Sequence, residues 1–286
     1  MTSLRTIKQI ITTQDVMMGD IKVGQPLPTR QVKQISPFLL LHHLGPVDIK
    51  PGENPMDIGP HPHRGFAPVT FVFQGQVAHS DSLGNTRMVS SGGVQWMSAG
   101  SGLVHAESAG PDLIKNGGPF EMIQLWINLP KALKMSKPSY QPFDAGEISS
   151  YRDKDGKVNL NIIAGTYQGQ RGPVNHPVEI EAFTIHMQSG GELTIPTHQH
   201  WNVVLYQLGG NSEVSNGVLE DRQLVYFNFD GSQLNLKAKQ NSRFLYVSAP
   251  PINEPLAQYG PFVMNRPEEL QQAIKDYQSG KMGSLA

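Results

Sequence analysis

The sequence predicts an all-β protein built from two tandem barrels, and three observations support this prediction. Short apolar runs with alternating side chains recur along the 286 residues, and turn residues separate them. Glycine and proline are abundant, with 29 and 22 copies, as expected for many turns between short strands. The pattern restarts near the middle of the chain, which is long enough for two domains and therefore indicates a duplicated β domain.

The first half shows the strand pattern most clearly. "APVTFVFQGQ" and "EMIQLWINLP" alternate large apolar residues with smaller or polar ones, and each ends at a turn residue. "DSLGNTRMV" is typical of a hairpin whose tip is formed by Gly84 and Asn85. Alternation of this kind predicts an antiparallel sandwich or barrel rather than an α/β sheet.

The predicted domain boundary lies in the proline-bearing, weakly periodic segment "LPKALKMSKPSYQPFD". We therefore predict an N-terminal domain over 1–143 and a C-terminal domain over 144–286. The second domain is predicted from six further strand-like runs: "VNLNIIAG", "EAFTIHMQ", "GELTIP", "WNVVLYQLGG", "RQLVYFNF" and "SRFLYVSAP".

The clearest helix signal is the segment "NRPEELQQAIKDYQSGKMG" near the end of the chain. Asn265 is a candidate cap and Gly280 a candidate stop. Leu270, Ile274 and Tyr277 fall on one helical face, which predicts a short C-terminal helix packed on a sheet.

Composition excludes several classes of function. The net charge is −1, with 23 basic and 24 acidic residues, so neither a nucleic-acid groove nor a membrane surface is expected. The absence of cysteine excludes disulfides, thiolate catalysis and thiolate-bound metal, so a metal would need histidine, carboxylate or backbone ligands. The first residues lack the apolar core of a signal peptide, and no run reaches the ~18 apolar residues of a membrane helix. We therefore expect a cytoplasmic protein.

Two pairs of side chains have the spacing of metal ligands. His61 and His63 are two residues apart, as are His105 and Glu107, and residues i and i+2 of a strand face the same side. Pro62 lacks an N–H and so suits an edge strand. If the two strands are neighbours, three nitrogens and one oxygen converge, a set that suits Fe, Mn, Ni, Cu or Zn. The alternative is that these are unrelated surface or turn histidines.

Five further motifs follow one another along the chain: "HPHRGF", "DSLGN", "VQWMSAGSGLVHAE", "QLWINLP" and "YGPFVMN". Taken together and in this order, they resemble the pirin family, which consists of bicupins of the cupin superfamily. The resemblance is strong over 30–130 and 250–282, and loose over 145–245. It implies two cupin domains, which are jelly-roll or double-stranded β-helix barrels. It also implies a metal in the N-terminal domain and a metal-free C-terminal domain.

The resemblance also implies ligands and an activity. The family's metal ligands fall on His61, His63, His105 and Glu107. One divalent ion per chain is expected, with Fe(II) first and Ni, Mn, Cu and Zn as alternatives. The implied activity is quercetin 2,3-dioxygenase-like ring opening of a flavonol, with Glu107 as the catalytic base. The alternatives are a metal-containing binding or regulatory protein that acts through a protein partner, and another cupin chemistry at a non-redox metal.

Three positions depart from the family pattern. Ala67 stands where relatives carry glutamate, and Ser101 where they tend to carry arginine. His42 and His43 replace a common acidic pair. Because all three changes lie in the predicted N-terminal domain, we expect them to alter substrate preference.

The remaining candidates have weaker signals. His198 and His200 repeat the His-x-His spacing, as a second metal site or, in the favoured interpretation, as a pair at a barrel mouth. His79 is interpreted as a hairpin residue, and His42 and His43 as a strand–loop feature. His176 and His186 are interpreted as ordinary surface or core residues. An aromatic substrate could meet an apolar wall, although plain barrel packing is the favoured interpretation of each residue in it: Phe66, Phe71, Phe73, Trp96 and Met97.

Overall fold

The computed structural model describes residues 3–285, and these residues are mostly in β-strands. Numbered along the chain, the strands are β1 Ile7–Thr12, β2 Gln14–Met18, β3 Ile21–Leu27, β4 Phe38–Ile49, β5 Asp57–His63, β6 Phe66–Gln74, β7 Gln76–Asp81, β8 Thr86–Ser90, β9 Val94–Ser98, β10 Leu103–Ala109, β11 Gly118–Asn128, β12 Ser139–Phe143, β13 Ser149–Arg152, β14 Val158–Ala164, β15 Thr166–Tyr167, β16 Gln170–Arg171, β17 Glu181–Met187, β18 Glu192–Pro196, β19 Asn202–Gly209, β20 Ser212–Val214, β21 Gly217–Leu219, β22 Gln223–Phe227, β23 Gln233–Ala238, β24 Ser242–Ala249, β25 Ala257–Tyr259 and β26 Phe262–Met264. The helices are α1 Pro111–Asn116 and α2 Pro267–Gln278, with 3-10 turns at Lys131–Leu133 and Ala145–Glu147. The all-β prediction is confirmed, as are the hairpin tip between β7 and β8 and the six strands of the second half.

The chain divides into two compact units. The N-terminal unit contains Asp15–Gln25, Pro37–Ala145 and the chain from Ile252 onward. The C-terminal unit contains the chain up to Gln14 together with Pro26–Ser36 and Gly146–Pro251.

The predicted continuous domains, 1–143 and 144–286, are therefore corrected. The division between residues 145 and 146 lies close to the predicted boundary, but segments near both ends of the chain belong to the opposite unit. The outermost predicted limits, residues 1 and 286, lie outside the described residues.

Backbone pairing and apolar burial explain why the two terminal segments belong to the opposite units. β1 is the edge strand of the C-terminal unit's larger sheet, where it pairs with β22. At the other end, α2 and β26 bury Phe262, Met264 and Leu270 against Val104 of β10 in the N-terminal unit. Each segment thus buries its apolar face within the unit that it joins.

The N-terminal unit consists of two antiparallel sheets with a core between them. The seven-stranded sheet has the order β12-β9-β6-β11-β4-β3-β2, and the four-stranded sheet has the order β5-β10-β7-β8. Val72 and Phe120 of the larger sheet pack with Val77 and Val89 of the smaller one. Two facing sheets of this kind are the architecture that a jelly-roll barrel requires.

The C-terminal unit repeats this plan. Its seven-stranded sheet has the order β1-β22-β19-β24-β17-β14-β13, and its four-stranded sheet has the order β18-β23-β20-β21. Phe183 and Tyr246 of the larger sheet share a core with Leu193 and Leu236 of the smaller one. The duplication inferred from the sequence is therefore present as two units of the same design.

Helix α2 confirms the predicted C-terminal helix with two differences. Its cap is Arg266 rather than Asn265, and the carboxylate of Glu269 accepts hydrogen bonds from both backbone N–H groups. Its buried residues are Leu270, Ala273 and Asp276. Tyr277, predicted on the packed face, is 39% exposed. Among the described residues, no helix combines the length and apolarity needed to cross a bilayer.

Candidate metal centre

Three neighbouring strands of the four-stranded sheet carry polar residues in the same alternation. β5 carries His61 and His63, and β10 carries His105 and Glu107. β7, on the other side of β10, carries a third pair of residues two apart, His79 and Asp81. In β7 and β10 these side chains are buried and alternate with less buried ones, so they face the inside of the unit.

The strand register places these residues beside each other. His105 lies opposite His61 on one neighbouring strand and opposite Asp81 on the other. Glu107 lies opposite His79. Residues directly opposite in an antiparallel pair have their Cβ atoms about 5 Å apart, close enough for their side chains to meet. The predicted adjacency of the His61 and His105 strands is therefore present in the structure.

Gly65, two residues after the end of β5, occupies a position that requires glycine. Its φ is +84°, and a Cβ there would lie 1.9 Å from the carbonyl oxygen of Val263. Only glycine adopts this backbone conformation at so close an approach without strain. The glycine after "HPHR" thus lets the segment around Val263 approach the end of β5, where the carbonyl oxygen of Pro261 meets His63.

His61, His63 and His105 form one cluster. Their candidate ligand atoms all lie within 4.8 Å of one another. The Nε2 atoms of His61 and His63 are 3.1 Å apart, and the rings of His61 and His105 have centroids 4.3 Å apart. These distances allow a single ion to reach all three rings.

The Nδ1 atoms of the three rings have partners outside the cluster, while the Nε2 atoms of His61 and His63 face each other. His61 Nδ1 donates to the carbonyl oxygen of Gly59 at 2.8 Å, and His63 Nδ1 to that of Pro261 at 3.5 Å. His105 Nδ1 faces His79 Nδ1 at 3.4 Å, while His105 Nε2 is buried without a hydrogen-bond partner among the described residues. A buried polar atom without a partner is costly, and outer hydrogen bonds of this kind commonly orient metal-binding imidazoles. The residues present therefore fit a metal ion.

Burial keeps these histidines in the form that binds metal. It lowers the pKa of His61, and it lowers the pKa values of His63 and His105 well below the usual value. Neighbouring imidazoles lower the pKa values of His63 and His105 further. Only the neutral ring offers a lone pair, so the site needs little deprotonation before it can take up an ion.

Glu107 belongs to an overlapping group rather than to the three-histidine cluster. Its carboxylate groups with His79 and His105 within the same 4.8 Å limit. It accepts hydrogen bonds from Thr70 Oγ1 at 3.2 Å and Gln124 Nε2 at 2.7 Å. Burial raises the pKa of Glu107 to about 7, although both hydrogen bonds act in the opposite direction. Its role as a ligand stays a prediction.

His79 is the residue that the sequence analysis missed. It lies in β7, one strand of the β7–β8 hairpin as interpreted, but its side chain is buried, and its ring stacks on Tyr140 with centroids 4.1 Å apart. Its Nε2 donates to Asp81 Oδ2 at 3.0 Å, and its Nδ1 faces His105. The signal was present in the sequence, because His79-x-Asp81 repeats the spacing of the two recognised pairs.

Space near the cluster is unevenly distributed. Beside Glu107, His79 and Tyr140 the structure leaves a void of about 10 Å³, enough for roughly one water molecule. His61, by contrast, is only half-buried. Next to it, the rings of His63 and the partly buried Trp126 have centroids 5.4 Å apart. An external molecule would therefore meet the cluster from the His61 side.

The predicted aromatic wall separates into several environments. Phe66 contacts the ring of His63 at 5.0 Å, and Met97 borders the small void. Phe71 and Trp96 are buried core residues, and Phe73 is half-buried. Trp126, which stacks near Phe66 at 4.4 Å, was not among the predicted candidates.

The departures from the family pattern lie in structured surroundings. Ala67 is fully buried in β6, and the carbonyl oxygen of Ser101 accepts a hydrogen bond from Arg64. His42 and His43 lie inside β4, so their interpretation as a strand–loop feature is wrong. His42 pairs with Gln25 at 2.8 Å and His43 with Glu121 at 3.1 Å.

The histidines of the C-terminal unit are arranged differently. His198 and His200 lie in the loop between β18 and β19, and His198 pairs with Glu181 at 3.2 Å. His176 hydrogen-bonds the backbone of Val178, and His186 is exposed on β17. Among residues 3–285, both groups of three possible metal ligands lie in the N-terminal unit.

Comparison with family models matches both halves of the chain. The pirin model matches residues 20–127, and the model of the pirin C-terminal cupin domain matches residues 182–283. Together they cover more than half of the sequence.

Individual relatives agree with this assignment. The chain is 35% identical over 266 residues to a protein of Pseudomonas aeruginosa provisionally named a quercetin 2,3-dioxygenase, covering 91% of this chain and 93% of that one. It is 32% identical over 285 residues to a pirin-like protein of Caulobacter vibrioides, covering 97% and 99%.

Solved structures share the fold. A crystal structure of quercetin 2,3-dioxygenase from Acinetobacter baumannii matches with a TM-score of 0.93 at 33% identity, covering 99% of this chain and 100% of that one. A bacterial pirin of Escherichia coli in complex with nickel(II) matches with a TM-score of 0.66 at 17% identity, covering 85% and 99%. The expected pair of cupin domains is confirmed, and the chain belongs to the pirin family.

Proposed function

We propose that this protein is a mononuclear-metal dioxygenase that opens the ring of flavonol or related polyphenol substrates. The observation that carries the proposal is the cluster of His61, His63 and His105, whose possible ligand atoms lie within 4.8 Å of one another and whose Nδ1 atoms have partners outside the cluster. The names of the relatives from Pseudomonas aeruginosa and Acinetobacter baumannii support the reaction class.

The donor set limits the choice of ion. Three imidazole nitrogens with a nearby carboxylate suit a divalent first-row metal, and we propose one Fe(II) per chain, with Ni, Mn, Cu and Zn as alternatives. The nickel-containing relative from Escherichia coli supports a divalent ion of this series. When bound, the ion would supply Lewis acidity and, if redox-active, electron transfer to dioxygen.

Glu107 is the proposed base. Its pKa of about 7 means that it exchanges a proton readily near neutral pH, which is the property of an efficient general base. The adjacent void holds roughly one water, so a flavonol does not fit against Glu107 itself. We propose that the proton of the substrate hydroxyl reaches Glu107 through a water in this void.

Neighbouring residues would position the substrate and shield the cluster from water. Trp126 and Phe66 offer an aromatic surface beside His63, suited to a planar ring. The deep burial of His63, His105 and Glu107 excludes bulk water from the inner side of the cluster. A substrate would enter from the half-buried His61.

The test is oxygen consumption with quercetin by protein purified without air and reloaded with each candidate metal. We expect turnover with at least one ion, and its loss in His61→Ala and Glu107→Ala. His198→Ala in the C-terminal unit is the matched control and should retain full activity. Metal binding without turnover across a panel of polyphenols would contradict the dioxygenase.

One observation favours a second candidate, a metal-containing binding or regulatory protein that acts through a protein partner. The space beside Glu107 is too small for an organic substrate, as it would be in a site that only holds its ion. A protein that binds about one metal per chain, turns over no polyphenol and keeps its metal on exposure to air would support this candidate.

A further inference from the structure

The C-terminal unit contains a cavity that the metal site does not use. Its volume is about 680 Å³, within the range of about 300–1,000 Å³ typical of small-molecule sites. All residues that line it lie between Ala164 and Trp201, within the C-terminal unit. It is distinct from the void of about 10 Å³ beside Glu107.

Aromatic side chains form part of its wall. Tyr167 and Phe183 are buried, and their ring centroids lie 6.0 Å apart. Trp201 is half-buried and stacks on His198 with centroids 3.9 Å apart. Half-exposed aromatic rings at a cavity supply a flat apolar surface to a planar ligand at little cost in conformational entropy.

A polar group faces the cavity beside these rings. Glu181 is buried, with 9% of its surface exposed, and lines the cavity. One of its carboxylate oxygens accepts a hydrogen bond from Tyr246 at 3.1 Å, and the other lies 3.2 Å from His198 Nε2. A carboxylate oxygen has lone pairs for more than one donor, so Glu181 can also accept a hydrogen bond from a ligand.

The loop that carries His198 and Trp201 is fixed by hydrogen bonds from a buried arginine, Arg5. Arg5 is fully buried, and its guanidinium donates to the carbonyl oxygens of Trp201 at 2.8 Å and Gln199 at 3.1 Å, and to that of His198. Because one guanidinium binds the backbone of three residues in this short loop, the cavity wall is ordered before a ligand binds. Preorganisation of this kind favours binding.

We propose that this cavity binds a neutral, planar aromatic molecule that carries a hydrogen-bond donor, a phenolic hydroxyl or an aromatic N–H, directed at Glu181. Aromatic rings provide the wall, and the buried carboxylate provides an acceptor. Two acidic residues, Glu179 and Glu181, line the cavity, against one arginine, Arg171. A neutral ligand is therefore favoured over an organic anion. The proposal does not depend on the metal site or on dioxygenase activity.

Titration calorimetry with indole and benzofuran tests the proposal. The two molecules have nearly the same shape, but only indole has an N–H donor, and neither chelates a metal. We expect indole to bind saturably, about once per chain and at least about tenfold more tightly than benzofuran, because a hydrogen bond to a carboxylate is stronger than a neutral one. Absence of saturable indole binding, or equal affinities for the two probes, would overturn the proposal.

Variants test whether the two probes bind in the cavity of the C-terminal unit. Trp201→Leu should weaken both probes, whereas Glu181→Leu should remove most of the difference between them. His63→Ala in the N-terminal unit is the control and should leave both affinities unchanged; loss of binding there would place the probe at the metal site and overturn the proposal. If thermal melting shows that Glu181→Leu does not fold, Glu181→Gln keeps an acceptor for Tyr246 and should still reduce the advantage of indole.

Discussion

The two units have the same two-sheet plan, but they fill their interiors differently. The N-terminal unit places His61, His63, His79 and His105 on adjacent strands of its small sheet and leaves a void of about 10 Å³ beside them. The C-terminal unit has a cavity of about 680 Å³, and His198 pairs with Glu181 in its wall.

This difference shows how one architecture can support two kinds of site. Where histidines and a carboxylate on neighbouring strands converge, the structure leaves a void for roughly one water. Where aromatic side chains, Glu181 of β17 and the loop around Trp201 line the wall instead, space remains for an organic molecule. The function therefore depends on the residues at the inner positions rather than on the barrel itself.

The largest expected effect separates the units by their metal content. His63→Ala should lower metal affinity at least about a hundredfold, since even loss of an outer hydrogen bond to a ligand costs about 10- to 100-fold. His198→Ala should leave the metal content unchanged. Elemental analysis of protein purified without air measures both, and retention of metal in His63→Ala would break the comparison.

The next effect concerns one buried basic side chain from each unit, Lys134 of the N-terminal unit and Arg5 of the C-terminal unit. Lys134 donates to the carbonyl oxygens of Gly65 and Val263 and to the side chain of Asn128, and Arg5 holds the loop around Trp201. Burial lowers the pKa of Lys134 to about 7. Lys134→Met and Arg5→Met each leave several buried acceptors unpaired, so each should lower the free energy of unfolding by about 3 kcal/mol.

Denaturant unfolding measures these losses. The matched control is Lys131→Met, because Lys131 is exposed and surface substitutions usually change stability by no more than about 0.5 kcal/mol. An equal, small effect for Lys134→Met and Lys131→Met would contradict the assigned role of the buried amine.

A third effect compares the buried carboxyl groups, Glu107 and Glu181, whose pKa values are both raised by burial. A raised folded-state pKa means that the folded protein holds its proton while the unfolded chain loses it, so stability falls as pH rises from the unfolded value toward the folded one. For Glu107 that window runs from 4.5 to about 7. Metal-free Glu107→Gln should therefore gain about 2 kcal/mol over the wild type between pH 5 and pH 8.

Comparing variant with wild type at each pH is essential, because the buried histidines act in the opposite sense. Their lowered pKa values make the folded state less stable below about pH 6.5, in both proteins equally. Glu181→Gln should show a change of the same sign as Glu107→Gln, while the exposed Glu192→Gln should show no such gain. A flat difference between Glu107→Gln and wild type across this range would contradict the raised pKa.

The smallest effect tests the residue behind the cluster. His79→Phe keeps the stacking on Tyr140 but removes the nitrogen that faces His105 Nδ1. Metal affinity, measured by competition with a chelator, should fall about tenfold while the melting temperature changes little. His186→Phe, on the exposed face of β17, is the control. Unchanged affinity in His79→Phe would show that the neighbouring histidine does not support His105.

Local sequence patterns predicted what depends on local geometry. The two-residue period of a strand was enough to select His61, His63, His105 and Glu107, and the hairpin and the final helix followed from their turn and capping residues. The same period would have selected His79 as well. His79 lies in the β7–β8 hairpin, as the turn signal in "SDSLGN" indicated, but that signal does not show that its side chain is buried beside His105.

The remaining features depend on residues distant in sequence. The partner of β1 is β22, so no local pattern could show that the first strand belongs to the C-terminal unit. The grouping of Glu107 with His79 depends on which strands are neighbours in the sheet. The cavity in the C-terminal unit arises from side-chain packing across several segments, and alternation of apolar residues does not reveal it.

The hydrogen bond from His63 to Pro261 has a consequence for the order in which the protein matures on the ribosome. These residues are 198 positions apart, so at about 5–20 residues per second the carbonyl that orients His63 is made roughly ten to forty seconds after the imidazole. The C-terminal unit has all its segments once residue 251 has emerged, whereas the N-terminal unit still awaits β25, β26 and α2. The histidines are thus translated early but gain their final support last, and until then the hydrogen bond that orients His63 is missing.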